Sequence, residues 1–210
     1  GNLPAGSYTL TIQDVNGCEG SASVQIQEGQ EPALDLGLDV DAILGEEVTV
    51  TALLNFDYDE IVWTPAFIDT CQGCTELVKS FAATQSLTIT ATASDSAGCR
   101  ATDELRVRVN KEREVYAPNV FSPNGDGIND LFFISGNSDQ IVNINALLVF
   151  DRWGEKVFEL TDIQPNDPTN GWDGTFKAEF LDPGVFIYYA EIEFIDGATE
   201  VFSGDVTLVK

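Results

Sequence analysis

Ala117-Pro-Asn-Val-Phe-Ser-Pro-Asn-Gly-Asp-Gly-Ile-Asn-Asp-Leu-Phe-Phe133 divides the chain into two parts of different character. The stretch opens on a short apolar strand, turns through Pro, Gly, Asn and Asp, and closes on a second apolar strand. Proline fixes φ and glycine admits positive φ, so a cluster of this kind ends strands rather than extending them. Upstream, the sequence reads as repeated β modules. Downstream, it reads as one β domain that continues to Lys210.

In that downstream part, Val142-Asn-Ile-Asn-Ala-Leu-Leu-Val-Phe-Asp151 is a predicted strand, Arg152-Trp-Gly154 turns it, and Lys156-Val-Phe-Glu-Leu160 returns. A polar loop, 162–173, leads into Gly171-Trp-Asp-Gly174. Residues 184–195 form a long predicted strand with Ala190, Ile192 and Phe194 on the core side and Glu191 and Glu193 toward water. Asp196-Gly-Ala is a hairpin turn, and residues 200–210 are the last strand.

Residues 30–110 hold several short alternating or β-branched runs, among them Val48-Thr-Val-Thr-Ala-Leu-Leu54, Glu60-Ile-Val-Trp-Thr64, Ser86-Leu-Thr-Ile-Thr-Ala-Thr-Ala93 and Glu104-Leu-Arg-Val-Arg-Val109. This spacing predicts an immunoglobulin-like β-sandwich with Trp63 as a core anchor. Residues 1–28 read as a single hairpin, Ser7-Tyr-Thr-Leu-Thr-Ile-Gln13 against Ser21-Ala-Ser-Val-Gln-Ile-Gln27. A lone hairpin is marginal in water, so its sheet partners are expected upstream, and the chain is expected to be the C-terminal piece of a longer protein. Thr11-Ile-Gln-Asp-Val-Asn-Gly-Cys18 and Thr92-Ala-Ser-Asp-Ser-Ala-Gly-Cys99 echo each other, each placing Asp, two residues and Gly-Cys before a strand. The fold class is therefore all-β, as tandem sandwich modules.

Composition narrows the partners. The 210 residues carry a net charge of −25 with no His and no Met, and 43% are hydrophobic. Such a surface repels nucleic acid and anionic lipid but suits an extracellular protein or one that binds cations. No apolar run approaches the roughly 18–20 residues of a membrane span. Of the four cysteines, Cys71 and Cys74 are the favoured disulfide, with Cys99 to either of them as the alternative pairing, and Cys18 is expected to have its partner upstream.

Five motifs then occur in order: the 117–130 stretch, Phe150-Asp-Arg-Trp-Gly-Glu-Lys-Val-Phe158, Gly171-Trp-Asp-Gly-Thr175, Pro183-Gly-Val-Phe-Ile-Tyr-Tyr189 and Gly204-Asp-Val-Thr-Leu-Val-Lys210. Together they resemble the gliding-motility-associated C-terminal domain, the type B sorting domain of the type IX secretion system. The first modules resemble the repeat of bacteroidete gliding adhesins and the immunoglobulin or polycystic-kidney-disease modules of similar surface proteins. The resemblance implies an extracellular protein exported by the type IX machinery, with residues 115–210 as the address. It also implies retention at the cell surface through an outer-membrane β-barrel partner. A final strand with an open edge suits strand addition, with Val206, Thr207, Leu208, Val209 and Lys210 as the expected contact residues.

Ser122-x-Asn124-x-Asp126-Gly127-x-x-Asp130 also overlays the first nine positions of a calcium loop. Asn124, Asp126, the Ile128 carbonyl and Asp130 are the candidate calcium ligands. Ser122 at the first position and Phe133 at the twelfth depart from the pattern, and the competing reading is an Asx-rich turn that bonds its own backbone. Trp153 and Trp172 each sit beside a turn Gly, which predicts aromatic caps on the core edge rather than sugar platforms. Asp151 and Asp173 are a conceivable carboxylate pair, but no sequence feature sets their separation. Without His or Gly-x-Ser-x-Gly, a nucleophile lacks its base, and the chain reads as non-enzymatic. The alternative function is the non-catalytic tail of a secreted surface hydrolase.

Overall fold

The computed structural model describes residues 3–65 and 75–210. Among these, the regular elements are strands apart from one 3-10 turn, Pro168–Asn170. The favoured disulfide, Cys71 with Cys74, lies outside the described residues. Cys18 and Cys99 are both exposed free thiols.

Strands β1 (Gly6–Gln13) and β2 (Glu19–Ile26) form an antiparallel ribbon in which Tyr8 faces Val24 and Leu10 faces Ala22. Period-two alternation makes this ribbon sharply two-sided. One face carries Tyr8, Leu10, Ile12 and Val24, and the other carries Thr9, Thr11, Ser21 and Ser23. The apolar face is uncovered, with Leu10 69% exposed.

The next unit contains β3 (Leu34–Asp35), β4 (Val40–Ile43), β5 (Glu47–Thr51), β6 (Leu53–Leu54), β7 (Glu60–Thr64), β8 (Val78–Ala82), β9 (Leu87–Ser94) and β10 (Arg100–Asn110). One sheet has the order β4-β10-β9-β7, and the β3–β6 and β5–β8 ladders complete the unit. Alternation sends Val48, Val50, Ile61, Trp63, Ile89, Ala91 and Leu105 into a shared core. Trp63 is the anchor expected of it, buried, with its indole N–H donating to the Glu76 carbonyl at 3.2 Å. The run predicted as one strand over 48–54 divides at Ala52, whose amide still follows the β5–β8 register to the Leu77 carbonyl at 2.8 Å before Leu53 and Leu54 pair with β3 instead.

The last unit contains β11 (Val115–Tyr116), β12 (Val120–Phe121), β13 (Ser135–Gly136), β14 (Ile141–Phe150), β15 (Lys156–Ile163), β16 (Thr175–Phe176), β17 (Glu179–Phe180), β18 (Gly184–Phe194) and β19 (Thr199–Leu208). Its main sheet has the order β12-β19-β18-β14-β15. Ala190, Ile192 and Phe194 line the core as expected. Phe121 from β12 joins them, and Phe132, Ile134 and Trp172 enter the same core from segments outside that sheet. Trp172 lies fully buried with Phe121 and Phe186 ring centroids at 5.2 and 4.9 Å, and its indole N–H donates to the Thr175 carbonyl at 3.0 Å. Phe132 and Trp172 exchange backbone hydrogen bonds of 2.9 and 2.8 Å, which ties the 117–133 stretch to the Gly171 motif. Trp153 departs from the expected cap. It is 85% exposed at the tip of the β14–β15 turn, because a three-residue hairpin loop holds its middle residue away from the sheet.

The Asp-x-x-Gly echo is one hairpin turn used repeatedly. In the first copy the Asp14 amide donates to the Cys18 carbonyl at 3.0 Å, Gly17 to the Asp14 carbonyl at 3.1 Å, and the Asp14 carboxylate takes the Cys18 amide at 2.9 Å. The second copy repeats this with Asp95, Gly98 and Cys99. A third copy, Asp151 with Gly154 and Glu155, has the same bonds. The third Gly stands at φ 81°, the left-handed position that this turn type needs. At the β18–β19 corner the same backbone pattern runs from Phe194 to Ala198, but the Asp moves two places along, to Asp196.

Candidate functional site

The 122–130 turn is built by its own side chains. Asp130 accepts the amides of Asn124 at 2.9 Å and Gly125 at 2.7 Å on one oxygen, and of Gly127 at 2.8 Å on the other. Asn124 accepts the Asp126 amide at 2.9 Å, and Asp126 accepts the Ile128 amide at 2.8 Å. The bonds from Gly125 and Gly127, with a further one from Asn124, hold the Asp130 carboxyl below the usual carboxylate range against a smaller opposing effect of burial. The four candidate calcium ligands thus share one turn, and their three side chains also act as acceptors for its amides. Asn129 completes the turn at φ 54°.

The other two carboxylates considered for chemistry have a similar occupation. Asp151 Oδ1 accepts the amides of Trp153 and Glu155, both at 2.8 Å. Asp173 Oδ1 accepts the Thr175 amide at 3.0 Å and its hydroxyl at 2.6 Å. Each holds its own turn.

The final strand differs from the expectation in two respects. Val206 and Leu208 are core residues at 0% and 2% exposure, because alternation along β19 turns them inward. They are removed from the expected contact set, which leaves Thr207, Val209 and Lys210 facing outward. The edge of β19 at this end is also covered. β12 pairs with it in parallel, Val120 with Thr207 and Phe121 with Leu208. The Thr207 amide donates to the Asn119 carbonyl at 2.9 Å and the Val209 amide to the Phe121 carbonyl at 3.0 Å.

The open edge lies earlier in the strand. Thr207 and Val209 direct their amides away from β18, so by the two-residue period Val201, Ser203 and Asp205 do the same. No described strand pairs with β19 over 199–205 on that side. Sequence reasoning missed this shift, since the β12–β19 pairing joins the first and last parts of the domain and leaves no local signal.

The structure also brings the 122–130 turn and the chain end together. A groove of about 320 Å³ is lined by Pro123 and Asn124 on one side, Phe180 and Leu181 on another, and Val209 and Lys210 at its end. Phe180 is 71% exposed beside it. Gly174 makes this approach possible. A Cβ there would lie 3.0 Å from Leu208 Cδ1 and 3.2 Å from Pro123 Cγ.

Residues 115–208 match the CHU_C Type IX secretion signal domain. The resemblance carried by the five ordered motifs is borne out over the same part of the chain. No curated protein matches the sequence. Among solved structures, the chain is similar to a tetra-tandem repeat in the extending region of a large adhesion protein, at 16% identity over 98% of this chain and 57% of that one, with a TM-score of 0.38. It is similar to the N-terminal eight immunoglobulin domains of Down Syndrome Cell Adhesion Molecule isoform 1.30.30, at 13% identity over 96% and 31%, with a TM-score of 0.37. It is also similar to dimeric latent PorU from Porphyromonas gingivalis, at 14% identity over 98% and 24%, with a TM-score of 0.31. The chain spans 57% or less of the length of each of these three. The match is thus confined to the last unit of the chain, and among the described residues no helix is long and apolar enough to cross a membrane.

Proposed function

We propose that residues 115–210 are the export address and surface-retention tail of a large adhesin, with the earlier modules acting as its stalk. The observation that carries this is the match of the type IX signal domain to residues 115–208. The tail engages the type IX machinery and then an outer-membrane β-barrel, which leaves the protein outside the cell at the outer membrane. Two features of the domain suit such docking. The backbone edge of β19 over 199–205 offers main-chain donors and acceptors to an added strand. The groove at Phe180, Val209 and Lys210 offers an apolar wall beside a charged end. The chain's part in this is non-catalytic, in keeping with carboxylates that hold turns.

The test fuses the whole chain behind a periplasmic fluorescent reporter in a type IX-competent cell. The reporter is expected at the cell surface, with a β-barrel protein co-purifying from the outer membrane. Phe180→Glu with Val209→Glu is expected to keep the fold and lose the barrel. A folded wild-type fusion that stays in the periplasm refutes the address. Release into the medium without a barrel refutes the retention role and leaves the address standing. A catalytic domain in the full-length protein would replace the adhesin by a secreted hydrolase, with the tail's role unchanged.

A further inference from the structure

The corner Ile43-Leu-Gly-Glu46 between β4 and β5 leaves its own sandwich. Leu44 is fully buried, yet the core it joins is that of the signal domain, with Ile141 and Phe194. Gly45 stands at φ 83°, the third position of a turn closed by the Glu46 amide on the Ile43 carbonyl at 3.1 Å. A Cβ on Gly45 would overlap the Asp139 carbonyl oxygen and lie 2.7 Å from its carbon. Only glycine fits this corner, because of its φ and because a backbone from the other unit occupies the space.

Beside the corner, the connection between the two units is held on both sides. Val109, at the end of β10, packs against both cores. Gln140 is 1% exposed, accepts the Glu114 amide on its side chain at 3.1 Å, and accepts the Ile195 amide on its carbonyl at 2.8 Å. Lys111 reaches Asp196 at 2.8 Å, and Arg113 reaches Asp196 at 3.4 Å and Glu200 at 2.5 Å. The Arg113 guanidinium also lies 4.2 Å from the centre of the Phe194 ring. The chain has ten basic residues against 35 acidic ones. Two of the ten are thus fixed on this connection, on a carboxylate that is 5% exposed.

We infer that the sandwich and the signal domain form one rigid body, and that the Leu44–Gly45 corner is a working part of the signal domain although it lies outside residues 115–208. The unit that an exporter or a barrel receives therefore spans 33–210. The sandwich, the last module of the stalk, thereby stands at a fixed angle to the signal domain. This goes beyond the export reading and holds whatever partner the tail engages.

The test uses the full chain and reads each unit separately by hydrogen exchange in increasing urea, on peptides from β9 and from β18. In the wild type the two are expected to lose protection at one midpoint. Trypsin is expected to cut slowly after Lys111 and Arg113. Gly45→Val is expected to separate the midpoints and to speed cleavage after Lys111 about tenfold, the factor that about 1.4 kcal/mol of easier opening gives. Two separate midpoints in the wild type overturn the inference, as does fast wild-type cleavage at Lys111 with both units still protected. Should Gly45→Val fail to fold, Arg113→Gln supplies the variant arm, and unchanged cleavage at Lys111 in that variant overturns the joint.

Discussion

Leu208→Ala and Val209→Ala separate the two roles of the last strand. Leu208 is 2% exposed in the core and in van der Waals range of the space above Gly174, whereas its neighbour Val209 is half-buried beside the groove. Truncating a buried Leu removes its transfer free energy and leaves a cavity, at a cost of about 2–5 kcal/mol. The tight approach of Gly174 and Pro123 limits collapse around the cavity, which places the cost near the middle of that range, about 3 kcal/mol. For a cooperative unit of this length, at about 2–4 °C per kcal/mol, the melting temperature falls by roughly 6–12 °C. Val209→Ala should stay within about 1 kcal/mol of the wild type. Differential scanning calorimetry measures both, and co-purification of the barrel is the functional readout. Val209→Ala should weaken barrel recovery while melting normally. A large melting loss in Val209→Ala with none in Leu208→Ala would mean that β19 is shifted by one residue, and the inward and outward assignments would exchange.

Further outcomes can be checked directly. Ser203→Pro removes an outward-facing amide of β19 and should leave the melting temperature nearly unchanged while abolishing strand addition; Phe202→Pro removes a bond to β18 and should unfold the sheet, as circular dichroism would report. Asp130→Asn should lower the melting temperature equally with and without calcium, since the lost acceptor serves amides; a loss confined to calcium-containing buffer would instead assign the turn to the cation. The Asp130 carboxyl is depressed by those amides, so its contribution is present above the unfolded value of about 3.9 and is lost as pH falls through the lower folded value; the gap between wild type and Asp130→Asn should close over that acid range. The Cys99 thiol is raised chiefly by its hydrogen bond with the Asp95 side chain, so Asp95→Ala should speed its reaction with a thiol reagent near neutral pH.

The strands were legible because their burial alternates. β7 coincides with the predicted Glu60–Thr64 run, and the inward set of β18 was readable residue by residue. The third copy of the Asp-x-x-Gly turn was equally present in the sequence. The Gly-Cys pair that marks the echo does not extend to it, because the third copy has Glu155 where the others have cysteine. Trp153 and Trp172 show where local reading fails. Both stand beside a turn glycine, yet one is at a hairpin tip and the other is buried, since the Phe132–Trp172 bridge joins segments forty residues apart. Leu44 and Gln140 escaped for the same reason. Each is an unremarkable residue in its own segment, and only a surface supplied from elsewhere in the chain buries it.

The placement of β19 gives a vectorial reading of synthesis. It lies between β12, from the start of the domain, and β18, which precedes it. A ribosome delivers these strands in order, so β12 and β18 wait unpaired on their facing edges until β19 emerges. A message cut short before residue 199 yields a chain with stalk modules but no closed terminal sheet. Closure of this sheet therefore reports, in the fold itself, that synthesis has gone past residue 199.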